Sequence, residues 1–151
     1  PAPRAHSLEQ TPFLMDSSMP RKVSTPSHRA YMKITEGFIN RCSYFLIPDI
    51  RGKLRSRTIA DLTTEAKRLN AEGVKELTLV AQDLLAYGID LDKQTNPIVL
   101  LKQLLAETDI PWIRLLYLHP ARVNEELLLL MEANTRLVPY LDIPFQHISD
   151  K

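Results

Sequence analysis

The chain holds a single cysteine, Cys42, among its 151 residues. That scarcity rules out an intrachain disulfide and any metal site built from several thiolates of this chain alone. Long hydrophobic runs are missing too. The longest, Leu127 to Met131, is far too short to cross a bilayer. Charge of one sign is also lacking: the formal net charge is +1, which argues for neither a membrane nor a DNA partner. The amino-terminal Pro1-Ala2-Pro3-Arg4 does not have the charged-then-apolar pattern of a signal peptide, so a cytoplasmic location is expected. The chain does not begin with Met, and it stops at Ser149-Asp150-Lys151 directly after a strand-like run. Both ends read as cuts through a longer protein. What remains is an apolar fraction of 44% and a charged fraction of 25%, the balance of one ordinary globular domain.

Five of the eleven prolines fall within residues 1–29, at positions 1, 3, 12, 20 and 26. Proline fixes φ and removes a backbone donor, and Leu8, Phe13, Leu14 and Met15 are too few to form a core. This stretch is expected to be a linker, or an arm leaning on something else. From residue 30 onward, strand and helix signals alternate. Ala30 to Ile34 reads as a short strand and Arg51 to Arg57 as a basic loop. Thr58 with Asp61 resembles a capping box opening a helix whose inner face is Ile59, Leu62, Ala66 and Leu69, with Gly73 placed to end it. Glu76 to Ala81 has the continuous β-favouring character of a strand buried on both faces. Asn96-Pro97 supplies an N-cap and a proline at the first helical position. The helix that follows turns Leu100, Leu101, Leu104 and Leu105 inward and stops before Pro111. Trp112 to Leu118 and Val138 to Phe145 read as further strands. Between them Asn124 to Ala133 reads as a helix, with Leu127 to Leu130 as core throughout.

The order β-α-β-α-β-α-β implies crossover connections and a parallel sheet of about four strands and three helices. Periodicity alone leaves open whether this is half of a barrel or a small open sheet. In either case functional groups belong at the carboxyl ends of the strands. Those ends are Thr35-Glu36-Gly37, Gln82-Asp83, His119-Pro120 and Gln146-His147. Arg51, Lys53, Arg55 and Arg57 alternate, so four charges could share one side of an extended loop. They could then contact phosphate or carboxylate, but a solvated loop is the simpler reading and the one favoured here.

Several segments together resemble one family. Ala30-Tyr-Met-Lys-Ile-Thr-Glu-Gly37, Asn40-Arg-Cys-Ser-Tyr44 and Leu46-Ile-Pro-Asp-Ile-Arg-Gly-Lys-Leu-Arg-Ser-Arg57 are similar to the first strand and cluster loop of radical S-adenosylmethionine (SAM) methylthiotransferases. Gly73-Val-Lys-Glu-Leu77, Gln82-Asp83, Trp112-Ile-Arg-Leu-Leu-Tyr117 and Pro139-Tyr-Leu-Asp-Ile-Pro-Phe-Gln-His147 extend the match. Ala86-Tyr-Gly-Ile-Asp90 and Tyr140-Leu-Asp-Ile-Pro144 look like the RimO-type branch, which modifies an aspartate of a small-subunit ribosomal protein. They look less like the branch acting on transfer RNA.

This resemblance implies a partial parallel (β/α) barrel over residues 30–151, the amino-terminal half of a radical SAM barrel. Residues 1–29 would then be a linker from a methylthiotransferase domain lying before it. It also implies a four-iron, four-sulfur cluster and SAM as cofactors, and the ribosome or its small-subunit protein as partner. Cys42 is the implied metal ligand, and Glu36, Gly37, Gln82 and Asp83 are the implied cofactor-binding residues. The family pattern places two more cysteines where this chain has Phe38 and Phe45. Phenylalanine offers no lone pair to iron, whereas such clusters need soft anionic sulfur. None of His6, His28, His119 and His147 falls in that loop. No catalytic residue is therefore assigned, and the family's activity is not expected of the chain as written. A non-catalytic α/β binding module and a decayed gene fragment stand as alternatives.

Overall fold

The structure, a computed structural model, describes residues 13–22, 24–39 and 50–145. Cys42, Phe45, Gln146 and His147 lie outside the described residues. The elements run in the order β1 (Arg29–Lys33), β2 (Thr35–Glu36), β3 (Arg55–Ser56), α1 (Ile59–Ala71), β4 (Glu76–Val80), α2 (Pro97–Glu107), β5 (Trp112–Leu115), α3 (Glu125–Ala133) and β6 (Leu137–Leu141). Single 3₁₀ turns at Leu84–Ala86 and Pro120–Arg122 follow β4 and β5.

Each helix starts where a side chain can take over an orphan backbone donor. Thr58, Asn96 and Asn124 accept from the backbone N–H of Asp61, Val99 and Leu127, respectively. At α1 the capping box is only half made, because the Asp61 carboxylate turns to Arg57 and to the N–H of Ser17. Gly73 ends the same helix at a φ of +88°, where a Cβ would be strained.

Strands β1, β4, β5 and β6 form one sheet in that order, and all three pairings are parallel. A parallel pair needs a crossover long enough for a helix, and α1, α2 and α3 supply one each. Register puts Ala30, Leu77 and Ile113 in one row and Met32, Leu79 and Leu115 in another. These rows close a single core with Leu62, Ala66 and Leu69 of α1, Leu100, Leu101 and Leu104 of α2, and Leu127 of α3.

The expected α/β fold class is the observed one, with shorter late strands. The strand expected over Trp112 to Leu118 ends at Leu115, and the one expected over Val138 to Phe145 ends at Leu141. Register slips between the two pairs that join β5 to β6, and Pro139, which cannot donate to a ladder, sits within that irregularity. The expectation that Leu127 to Leu130 are core throughout is corrected. Leu127 is buried, but Leu128 and Leu129 are about half exposed, at 47% and 55%. Four consecutive leucines go right around a helix, and the sheet covers one side only.

The proline-rich arm does lean on the domain. Residues 13–22 run beside α1, where Arg68 donates to the Ser17 carbonyl at 3.1 Å and Arg21 pairs with Glu65 and with the Tyr31 carbonyl.

Candidate functional site

The carboxyl ends of β1 and β4 are neighbours, tied by the Ile34 N–H donating to the Val80 carbonyl at 3.0 Å. From this edge the chain leaves β1 into the short antiparallel ladder of β2 and β3, in which Thr35 faces Ser56 and Glu36 faces Arg55. Gly37 follows at a φ of +76°, and a Cβ added there would overlap the Lys53 carbonyl. Glycine is what lets the two arms of the loop close. Phe38 completes the closure through a bridge to Lys53, its N–H donating to the Gly52 carbonyl at 3.2 Å.

Glu36 is half-buried between two cations. Its carboxylate pairs with the Lys33 ammonium and receives Nη1 of Arg51 at 3.1 Å. Burial alone would raise its pKa, but the two cations and the Gly37 N–H outweigh burial and hold it below the usual range. On the other side of the rim Asp83 is buried and receives Nε of Arg122 at 2.9 Å, with Gln82 half-buried beside it. Tyr117 stands next to this pair at a φ of +63°, in a region that bulky residues rarely enter. Its N–H donates to Asp142 at 3.0 Å, and its carbonyl accepts from Leu84 at 2.9 Å.

The basic run does not present four charges on one side. Arg51 and Lys53 are exposed, Arg55 lies in β3, and Arg57 is only 3% exposed. Nε of Arg57 donates to Asp61 at 2.7 Å, and its Nη1 donates to the Lys33 carbonyl at 3.0 Å and sits 2.7 Å from Glu65. The alternation of residues 51–57 was legible, but partners on β1 and α1 draw Arg57 inside.

Ala86 to Asp90 serves this same loop. Asp90 accepts from the Ser56 N–H and hydroxyl at 2.8 and 2.6 Å, and the Gly88 N–H donates to the Ser56 hydroxyl at 3.0 Å. The Tyr87 hydroxyl donates to the Arg57 carbonyl, and burial pushes its pKa well up. His119 is exposed, and its Nδ1 accepts from Ala121.

Curated relatives place the chain. It is 58% identical over 141 residues to the ribosomal protein uS12 methylthiotransferase RimO of Desulfotalea psychrophila, covering 93% of this chain and 32% of that protein. The corresponding enzyme of Syntrophus aciditrophicus is 49% identical over 138 residues, and that of Chlamydia abortus 44% over 146. Along nearly all of its length the chain is similar to a segment of the RimO-type methylthiotransferases.

It spans about a third of the length of these relatives. No protein-family model matches it. Among solved structures it is similar to the radical SAM methyltransferase TsrM of Kitasatospora setae, at a TM-score of 0.61 and 19% identity over 87% of this chain and 26% of that one. A second structure of TsrM, with cobalamin and a four-iron cluster bound, gives a TM-score of 0.62 at 19% identity. This likeness concerns the fold alone.

In this segment the four rim residues fall into two groups on adjacent strand ends, Glu36 with Gly37 and Gln82 with Asp83. Of the cation partners, Arg51 belongs to the basic run read from the sequence, whereas Lys33 and Arg122 were not singled out there. Arg122 is 39 residues from Asp83, and no local pattern marks such a pair. Among the described residues no three His, Cys, Asp or Glu side chains converge so as to hold a metal ion. The donor chemistry of the cluster loop does not fit a four-iron cluster. Phe38 carries no donor atom, and Cys42 is the only thiol the chain has. No helix among the described residues is long and apolar enough to cross a membrane.

Proposed function

We propose that this chain is the leading part of a radical SAM barrel from a RimO-type methylthiotransferase. On this reading it keeps the cofactor-facing rim of Glu36, Gly37, Gln82 and Asp83 but has lost the ligands for the cluster. The parent activity is addition of a methylthio group to an aspartate of ribosomal protein uS12, with the ribosome as partner and the cytoplasm as location. The chain as written is inactive in that reaction. One observation carries the reading: Phe38 seals the loop at Lys53 where the family supplies a thiolate. A lone thiolate, Cys42, cannot hold four irons, and a hydrocarbon ring in a ligand's place has nothing to coordinate them with.

The residues present can do less demanding work. The Glu36 carboxylate and the paired Asp83 can orient polar groups of a bound molecule, and Gly37 keeps the loop backbone close to the rim. Radical chemistry belongs to the cofactor, and the protein contributes position and charge.

The test is anaerobic reconstitution of the purified chain with iron and sulfide, read by absorbance near about 400 nm and by formation of deoxyadenosine from SAM. The unaltered chain should show neither. A cluster band together with deoxyadenosine from that chain would overturn the proposal. The double variant Phe38→Cys, Phe45→Cys should take up iron, because Gly37 and the Ser56–Asp90 contacts that close the loop do not involve the replaced side chains. If the double variant takes up no iron, ligand loss is not what limits the chain.

A further inference from the structure

A cavity of about 240 Å³ lies beside the end of β1. Its walls are Lys33, Thr35, Glu36, Arg51 and Arg57, and residues 13–15 of the arm (Phe13, Leu14 and Met15) close it with apolar surface. Neither Gln82 nor Asp83 lines it.

Two of its walls carry buried polar atoms with no hydrogen-bond partner among the described residues, Oγ1 of Thr35 and Nη2 of Arg57. Both residues are almost wholly buried, at 1% and 3% exposure. A buried donor left unspent is costly and uncommon, so each such atom calls for a partner. The cavity adjoins both residues and has room for one. Arg57 is fixed in place, because Nε and Nη1 are already held by Asp61 and the Lys33 carbonyl, which leaves Nη2 as its spare donor.

Charge narrows the class of ligand. Asp61 compensates Arg57, and Arg21 compensates Glu65. What is left at the cavity is Lys33 and Arg51 against Glu36, an excess of one positive charge. A monoanion balances that excess, whereas a dianion exceeds it and a neutral molecule leaves it standing. The volume equals about eight waters at ~30 Å³ each.

We infer that this cavity binds a small monocarboxylate, its oxygens accepting from Nη2 of Arg57 and the Thr35 hydroxyl and its short hydrocarbon body lying against the arm. The site uses no iron and no SAM, so its failure is separable from failure of the cluster reading. The experiment is calorimetric titration of the full 151-residue chain with sodium isocaproate, with isocaproamide and inorganic phosphate as comparison probes.

Isocaproate should bind, and both comparison probes should bind at least about tenfold more weakly. Thr35→Val should weaken isocaproate binding about tenfold, while raising the melting temperature of the unliganded chain by removing an unpartnered hydroxyl. A merely structural threonine would not give that split. Leu14→Trp, which fills the space from the arm, should abolish binding and leave the circular dichroism spectrum unchanged. Equal binding of the amide, preference for phosphate, indifference to Thr35→Val, or no heat from isocaproate up to about 10 mM would each overturn the inference.

Discussion

At the scale of single residues, two glycines of similar φ separate steric need from conformational need. Gly37 and Gly52 lie at +76° and +73°, but a Cβ at Gly52 meets nothing within 4 Å, whereas one at Gly37 overlaps the Lys53 carbonyl. Gly52→Ala should therefore cost about 1–2 kcal/mol, the strain of a left-handed backbone. Gly37→Ala should cost clearly more, because the loop must also open. Urea denaturation of the two variants checks this, and equal losses would mean that the close approach of the loop arms contributes nothing. Tyr117 poses the opposite case, a bulky residue in the region glycine and asparagine prefer. Its ring is half exposed and so contributes little burial. Tyr117→Asn should raise stability by about 0.5–1 kcal/mol, measured in the same way. A loss of stability would show that ring contacts on the rim outweigh the backbone strain.

At the scale of elements, the loop between β1 and α1 is held from outside itself. Ser56 of β3 meets Asp90 through two hydrogen bonds and also satisfies the buried Gly88 N–H. Ser56→Ala should cost about 2 kcal/mol, since it removes a bond to a charged group and strands a buried donor. Ser56→Thr should recover part of that loss in a thermal melt, and full tolerance of Ser56→Ala would sink the claim. The sequence showed the Ala86 to Asp90 segment as a family likeness without showing what it grips, because the two partners lie 34 residues apart. Elements written in local signals were legible: the caps at Thr58 and Asn96, the inner faces of α1 and α2, and the placement of polar groups at strand ends. What was illegible depended on packing between distant segments. Nothing local says that Arg57 is drawn inside by the Lys33 carbonyl 24 residues away, that α3 turns Leu128 and Leu129 outward, or that β6 ends at Leu141.

At the scale of the whole molecule, carboxylates act as joints between elements. Asp61 ties the arm to α1 through the Ser17 N–H at 2.7 Å and to the loop through Arg57. Glu76 of β4 reaches Arg29 on β1 at 3.4 Å and Arg114 on β5 at 2.8 Å, so it spans three strands. Arg114 in turn lies 5.6 Å from the centroid of the Tyr140 ring on β6. The Arg114 hydrogen bond is the largest influence on Glu76, and with the charge of Arg29 it overcomes burial and lowers the pKa from its ordinary 4.5. For Asp61 burial is the largest single influence and raises the pKa. The bonds from Ser17 and Arg57 together exceed it and bring the group below its ordinary 3.8. A carboxyl group whose pKa falls on folding binds fewer protons folded than unfolded in the interval between the two values. Its stabilisation is therefore complete above the unfolded value and is lost as pH falls through the folded one. The melting temperature should hold steady down to about pH 5 and drop below the ordinary carboxylate range. Glu76→Gln removes the charge at every pH, so the variant should melt below the parent at pH 7 and approach it as the pH falls towards 3. A gap between the two melting curves that stays constant across that range would mean that the ionised carboxylate of Glu76 does not hold the three strands together.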